Sequence, residues 1–99
     1  MLITVKQSGG FTGLEDTSRF LDTSQMPKRE GRHVEELVRK SHFFEMPLGS
    51  TYGAIGADFV RSEISIHDGK REHTVIFMDD GFSPEFETMR KLVQEVTRL

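Results

Sequence analysis

Three glycines surround one phenylalanine in the stretch Ser8-Gly9-Gly10-Phe11-Thr12-Gly13, and this spacing resembles a phosphate-binding loop. Glycine permits positive φ and a close approach of the backbone to a ligand. A phosphate loop, however, opens a helix whose N-terminal N–H groups face the anion. Here we expect the loop to open a second strand, and no Lys-Ser or Lys-Thr pair follows it. The stretch therefore favours a loop that contacts another protein over a nucleotide site.

The other residues with chemical potential form no known catalytic or metal-binding pattern. There is no cysteine, and no serine stands in Gly-x-Ser-x-Gly. Asp79-Asp80-Gly81 lacks the alternating acids of a calcium loop and predicts a turn before a helix. No His-Glu-x-x-His is present, and the histidines fall on different predicted elements: His33, His42, His67 and His73. We expect no catalytic residues, no bound metal and no cofactor.

Length and charge limit the class of protein. The 99 residues predict a single domain over residues 1–99, with one modest core. The net charge of -3 provides no basic excess for a phosphate backbone, so nucleic acid is not an expected partner. The N-terminus enters a strand pattern at once, without a basic and then apolar leader, and no apolar run is long enough to span a membrane. We expect a cytoplasmic protein with no membrane partner.

Alternating apolar residues predict four strands, over residues 1–7, 18–22, 58–67 and 71–78. Asp68-Gly69 between the last two predicts a hairpin with a type I′ turn. A loop of two residues pairs positions whose numbers have an odd sum. This parity places Ile64 and Ile66 beside His73 and Val75 on one face.

Two helices are expected, over residues 28–41 and 84–99. Val34, Leu37 and Val38 form the apolar stripe of the first helix, which Gly31 weakens. The stripe of the second helix consists of Phe86, Met89, Leu92, Val93, Val96 and Leu99. The element order ββαββα predicts an α+β fold: a four-stranded, mainly antiparallel sheet with two helices packed on one face.

The predicted connectivity brings three irregular segments, residues 8–13, 42–57 and 79–82, to one end of the sheet. This predicted rim contains seven of the nine glycines. Irregular loops on a rigid scaffold are common binding surfaces. Phe11 is either an exposed anchor for a partner or a plug for the end of the sheet. The candidate target-binding residues are Ser8, Gly9, Gly10, Phe11, Thr12, Gly13, Thr51, Tyr52 and Gly53.

The order of several motifs resembles the emfourin family over nearly the whole chain. The Ser-Gly-Gly-Phe opening at Ser8 and the helix exit at Phe43-Phe44-Glu45-Met46-Pro47 carry most of the likeness. Weaker matches are Leu21-Asp22-Thr23, Glu35-Glu36-Leu37-Val38, His73-Thr74-Val75, Asp80-Gly81 and Leu92-Val93. The segment from Gly49 to Gly56 resembles the family less than the flanking motifs do, and we expect it to influence the choice of target.

Emfourins are small bacterial and archaeal proteins, and the characterised type member inhibits protealysin, a thermolysin-like zinc metalloprotease. The resemblance implies a protein inhibitor that covers the active-site cleft of such a protease, whose zinc belongs to the protease. Two alternatives stay open: a non-inhibitory interaction module that uses the same rim, and a small-molecule binder or enzyme. A concave pocket with converging polar groups would favour the last of these.

Overall fold

The computed structural model describes residues 1–9, 14–46, 51–53, 60–79 and 84–98. The strands in this part of the chain are β1 (Leu2–Gly9), β2 (Leu14–Asp22), β3 (Thr51–Gly53), β4 (Val60–Asp68) and β5 (Arg71–Asp79). The helices are α1 (Lys28–Lys40) and α2 (Glu87–Thr97). Short 3-10 turns lie at Thr23–Gln25, Phe43–Glu45 and Pro84–Phe86.

The strands form one sheet in the order β2-β1-β4-β5-β3. Four of them, β2, β1, β4 and β5, are antiparallel neighbours, which confirms the predicted α+β fold and the order ββαββα. The fifth strand, β3, pairs in parallel with β5 in a region where we expected only a loop. Three residues that end in glycine carry no readable alternation, and backbone pairing with an adjacent strand forms this element.

The hairpin between β4 and β5 has the predicted parity, but its turn lies one residue further along the chain, so the exact register differs from the one that Asp68-Gly69 implies. Ile64 pairs with Val75 and Ile66 with His73, which places these four residues on one face, as predicted. The two turn residues are Gly69 and Lys70 rather than Asp68 and Gly69, because Asp68 still pairs with Arg71. Gly69 has a φ of 62°, while Lys70 is not among the residues with positive φ, a pattern typical of a type II′ turn.

Both helices pack on one face of the sheet and bury its alternating apolar residues. The three stripe residues of α1 and the four of α2 from Met89 to Val96 are buried, as predicted, while Leu99 lies outside the described residues. Within the described ranges, the core consists of fourteen residues: Ile3, Val5, Val34, Leu37, Val38, Phe43, Ile64, Ile66, Val75, Phe77, Met89, Leu92, Val93 and Val96. Neither helix is long and apolar enough to cross a membrane within the described ranges.

The opposite face of the sheet, here called the open face, carries the even-numbered residues of β1 and their cross-strand neighbours. Phe20 pairs with Thr4 and therefore lies on this face, where 72% of its surface is exposed. Its strand neighbour Leu21 packs partly against the core. Phe20 is thus a large apolar residue of this strand that contributes nothing to the core.

The chain between α1 and β3 follows a path that we did not predict. We placed all of residues 42–57 at the same end as the glycine stretch. Instead, the ring of Phe43 packs edge-on against His73, with 5.6 Å between centroids, and the Arg71 guanidinium lies 4.1 Å from the centroid of the Phe44 ring. His73 and Arg71 belong to the hairpin end of β5, so this part of the predicted rim is wrong.

Asp22 ends β2 and stabilises the turn that follows. Its Oδ1 accepts hydrogen bonds from the Ser24 hydroxyl at 2.6 Å and from the Ser24 N–H at 3.0 Å. These two bonds, the side-chain bond foremost, lower the pKa of the Asp22 carboxyl. The interaction favours the ionised carboxylate and therefore contributes stability mainly above the pKa that the carboxyl has in the unfolded chain.

We expect Asp22→Ala to lower the melting temperature at neutral pH, because the Ser24 amide loses its acceptor. The difference from the parent protein should shrink as the pH falls through the pKa of folded Asp22, below the ordinary value of about 4. Thermal melts at neutral and strongly acidic pH measure this. Gln25→Ala, at an exposed position of the same turn, is the control. If Asp22→Ala lowered the melting temperature equally at both pH values, the stabilisation could not come from the ionised Asp22 carboxylate.

Candidate functional site

The strand ends that flank the glycine stretch lie at one end of the sheet, here called the upper end and defined by Gly9, Leu14, Val60 and Asp79. Gly9 pairs with Leu14 on one side and with Val60 on the other, and Val60 pairs with Asp79. The chain leaves β1 and β5, and enters β2 and β4, at this end. The connectivity argument therefore predicted the position of these four strand ends correctly.

The structure describes five of the nine candidate residues. Ser8 and Gly9 end β1, and Thr51, Tyr52 and Gly53 form β3. Gly10, Phe11, Thr12 and Gly13 lie outside the described residues, so the choice between anchor and plug for Phe11 stays a prediction.

The candidate residues form two groups, residues 8–13 and residues 51–53. The strand register places Ser8 of the first group level with Gly53 of the second. Ser8 pairs with Arg61, Arg61 with Met78, and Met78 with Gly53. Ser8 and Gly53 thus belong to one cross-strand row with two strands between them. At strand spacings of just under 5 Å, they lie about 14 Å apart. The described candidate residues therefore lie toward the same end of the sheet without forming a single cluster.

One hydrogen bond fixes the point where β1 leaves the sheet. Gln7 Nε2 donates to Ser62 Oγ at 3.2 Å, joining β1 to β4 just below Gly9. Ser62 is 1% exposed, so this bond satisfies a buried hydroxyl. We did not single out either residue from the sequence. The signal was a polar residue next to an apolar inward-facing one in each strand, Gln7 after Val5 in β1 and Ser62 before Ile64 in β4.

A shallow depression of about 300 Å³ adjoins Ser8 on the open face. Its lining includes two cations, Lys6 and Arg61, with the carboxylate Glu63 directly across from Lys6. The remaining lining residues are Gln7, Ser8, Thr17 and Ser18. These groups can form hydrogen bonds and ion pairs with a partner. They include no pair of carboxylates and no histidine for proton transfer.

The position of β3 depends on contacts nearer the other end of the sheet. His73 Nε2 lies within hydrogen-bonding distance of the Met46 carbonyl, so this nitrogen carries the proton and donates. Phe43 and Phe44 pack against the His73 ring and against each other. Since Met46 precedes β3 by only a few residues, these contacts set where the chain approaches β5. The apolar type of Phe43 and Phe44 is compatible with a place in the core, whereas no local sequence pattern predicts the histidine bond.

The titratable groups do not assemble a metal centre in the described ranges, where no three His, Asp or Glu side chains gather. His33 lies 3.9 Å from Glu95, His42 lies 3.2 Å from Glu45, and His67 lies 3.9 Å from Glu72. Each of these three histidines therefore has its own carboxylate neighbour. The pKa of the Glu36 carboxyl on α1 is lowered by a hydrogen bond from Arg39, and this residue belongs to neither candidate group.

A comparison with models of protein families identifies the family of this chain. The family model described as Emfourin matches residues 5–97, from the middle of β1 to the end of α2. This chain belongs to the Emfourin family. No curated protein and no solved structure matches it significantly. For this emfourin, family membership implies a role like that of a metalloprotease inhibitor and a protease as partner. Both candidate groups, Ser8–Gly13 and Thr51–Gly53, lie within the matched residues.

Proposed function

We propose that this emfourin is a reversible inhibitor of a thermolysin-like, protealysin-type zinc metalloprotease, and that it acts in the cytoplasm. The observation that carries the proposal is the Emfourin match over residues 5–97. The geometry supports it, because the end of β1 and the end of β3 both lie at the upper end of a packed sheet. This end of the sheet can be presented to the active-site cleft of another protein.

Inhibition would require no chemistry from this chain. The sheet holds the two ends of the glycine stretch at Gly9 and Leu14, which pair with each other. A loop held at both ends loses less conformational entropy on binding than a free peptide of the same sequence. We infer that residues 8–13 and 51–53 cover the protease cleft and exclude substrate, while the zinc stays with the protease. The polar depression beside Ser8 would meet the surface next to the cleft.

A titration against thermolysin-like proteases with a peptide substrate tests the function. We expect saturable loss of activity that is reversed by dilution. A metalloprotease of unrelated fold and a serine protease are controls for non-specific effects. If the chain binds the protease without loss of activity, it is an interaction module rather than an inhibitor. If it neither binds nor inhibits any thermolysin-like protease at micromolar concentration, the proposal fails.

Ser8→Arg tests whether the upper end of the sheet is the contact surface. The side chain of Ser8 is half-buried beside the depression. The larger, positively charged side chain of arginine at this position would obstruct a closely packed partner. We expect the inhibition constant to rise about tenfold or more, which corresponds to at least ~1.4 kcal/mol. Gln25→Arg adds the same charge in the turn after β2, at the opposite end of the sheet. Equal inhibition by both variants would exclude this end as the contact.

Phe11→Ala separates the two roles predicted for Phe11. If Phe11 is an anchor, the inhibition constant should rise by roughly the ~2 kcal/mol of an interface hot spot, with little change in the melting temperature. Thermal melts and inhibition constants measured on the same preparations distinguish the cases. A large fall in melting temperature with unchanged inhibition per folded molecule would make Phe11 a plug.

A further inference from the structure

The outer edge of β2 is a free strand edge among the described elements. β2 is first in the sheet order and pairs there with β1 alone. Free edges can add another strand, and natural proteins commonly protect them with proline, lysine or a bulge. The upper half of β2 is irregular, because the register shifts between Gln7 and Gly9. The lower half, residues 17–22, keeps a continuous register and contains neither proline nor lysine.

Phe20 lies in the middle of this regular half and is unusually exposed. Its exposed fraction is 72%, and the two residues before it, Ser18 and Arg19, are exposed as well. Leu2, 39% exposed, lies on the same face in β1, diagonal to Phe20. An aromatic side chain of this exposure beside a second apolar residue and a free edge is typical of an interaction surface.

We propose that the occupant of this edge is a second copy of the chain, with β2 paired antiparallel to its equivalent about a two-fold axis. Such an interface is isologous, because each copy offers the same patch to the other. The sheet becomes continuous across the axis, with Phe20 of one copy directly opposite Phe20 of the other.

The register follows from the two faces of the sheet and from charge. Even-numbered residues of β2 lie on the open face, so residues can pair only when their numbers have an even sum. Pairing Phe20 with itself places Ser18 opposite Asp22 and Arg19 opposite Leu21. The segment 18–22 carries one positive and one negative charge, and no like charges oppose each other. Aromatic pairs across strands stabilise a sheet.

Two registers shifted toward the start of β2 are less favourable. Pairing Arg19 with itself sets two cations opposite each other, which destabilises a strand pair. Pairing Ser18 with itself sets Phe20 opposite Asp16 and requires the irregular half of β2. The Phe20 register avoids both problems and uses only residues below the shift.

A ladder of five residues buries less surface than a stable interface requires, so the dimer should be weak and depend on concentration. Antiparallel pairing directs the upper ends of the two sheets in opposite directions. The candidate target-binding residues of both copies then remain accessible. The proposal is therefore independent of the proposed function, and either can fail without the other.

Disulfide trapping tests the register, since the chain has no cysteine of its own. Directly opposed residues in an antiparallel pair have Cα atoms about 4.5–5.5 Å apart, within the range of a disulfide. We expect Phe20→Cys to form covalent dimers at least about tenfold faster than Ser18→Cys, whose equivalents lie four residues apart in this register. Lys70→Cys, in the exposed hairpin turn, gives the rate of random collision. Faster trapping at Ser18→Cys, or equal rates at all three positions, would overturn the proposal.

Sedimentation velocity tests the association without a cysteine. The wild-type chain should shift from monomer toward dimer between low micromolar and millimolar concentration. Phe20→Asp, which places two like charges together at the axis, should remain monomeric over this range. Leu2→Asp puts the same charge on the open face but off the edge and should weaken association much less. A monomeric wild-type chain at every concentration would overturn the proposal, even if β2 becomes protected from hydrogen exchange when a protease is added.

Discussion

Replacing Phe43 with alanine is expected to lower the free energy of unfolding by about 3–5 kcal/mol. Phe43 has no exposed surface, and its ring contacts both Phe44 and His73. The substitution leaves a cavity where the chain passes from α1 to β3. A domain of this size has a total stability of about 5–15 kcal/mol, so the loss is a large part of it.

Urea denaturation followed by far-UV circular dichroism measures this loss. Phe20→Ala is the matched control: the residue type and the substitution are the same, but Phe20 is mostly exposed. We expect the control to change stability by no more than about 0.5 kcal/mol at low protein concentration. Phe43→Leu keeps most of the volume and should cost less than ~1.5 kcal/mol, so it remains measurable if the alanine variant does not fold. Similar losses in both alanine variants would contradict the burial assigned to Phe43.

Phe43 also illustrates which part of the fold can be predicted from sequence. Residues that alternate or recur with helical spacing identify their own buried face, and the parity of a hairpin loop determines which residues of its two strands share a face. Ile64, Ile66, Val75 and the helix stripes were therefore predictable. Phe43 and Phe44 could be assigned to the core by type. Their contact with His73 depends on where α1 ends above the sheet, which no local pattern encodes.

The candidate site was predictable to a similar depth. The order of strands and helices is enough to place Ser8 and Gly9 at one end of the sheet, because each antiparallel strand reverses the chain. The cross-strand row that joins Ser8 to Gly53 was not predictable, since it requires β3. Three residues without alternation become a strand only when an adjacent strand offers free backbone groups. For Phe20, residue type alone gives the wrong expectation: a phenylalanine is expected to be buried, but the strand register places Phe20 on the open face.

Gly31 reverses the expectation that helix propensity alone would give. Alanine is favoured over glycine inside a helix by about 1 kcal/mol, so Gly31→Ala in α1 should stabilise the protein on this ground alone. The structure places Gly31 against the turn after β2, and a Cβ there would lie 2.9 Å from the Thr23 carbonyl oxygen. Real Cβ atoms essentially never approach a backbone atom so closely, so the helix or the turn must move.

The turn has little freedom to move. Thr23 is buried, its N–H donates to the Met1 carbonyl at 2.9 Å, and its hydroxyl donates to Glu35 Oε2 at 2.6 Å. We therefore expect Gly31→Ala to lower the free energy of unfolding by about 1–3 kcal/mol, as overpacking does elsewhere, in spite of the gain in propensity. Urea denaturation measures the change. Gln94→Ala, at an exposed position of α2, is the control and should stay within about 0.5 kcal/mol of the parent protein. A Gly31→Ala variant as stable as the parent would show that the turn yields, and that glycine is not required for the contact between α1 and Thr23.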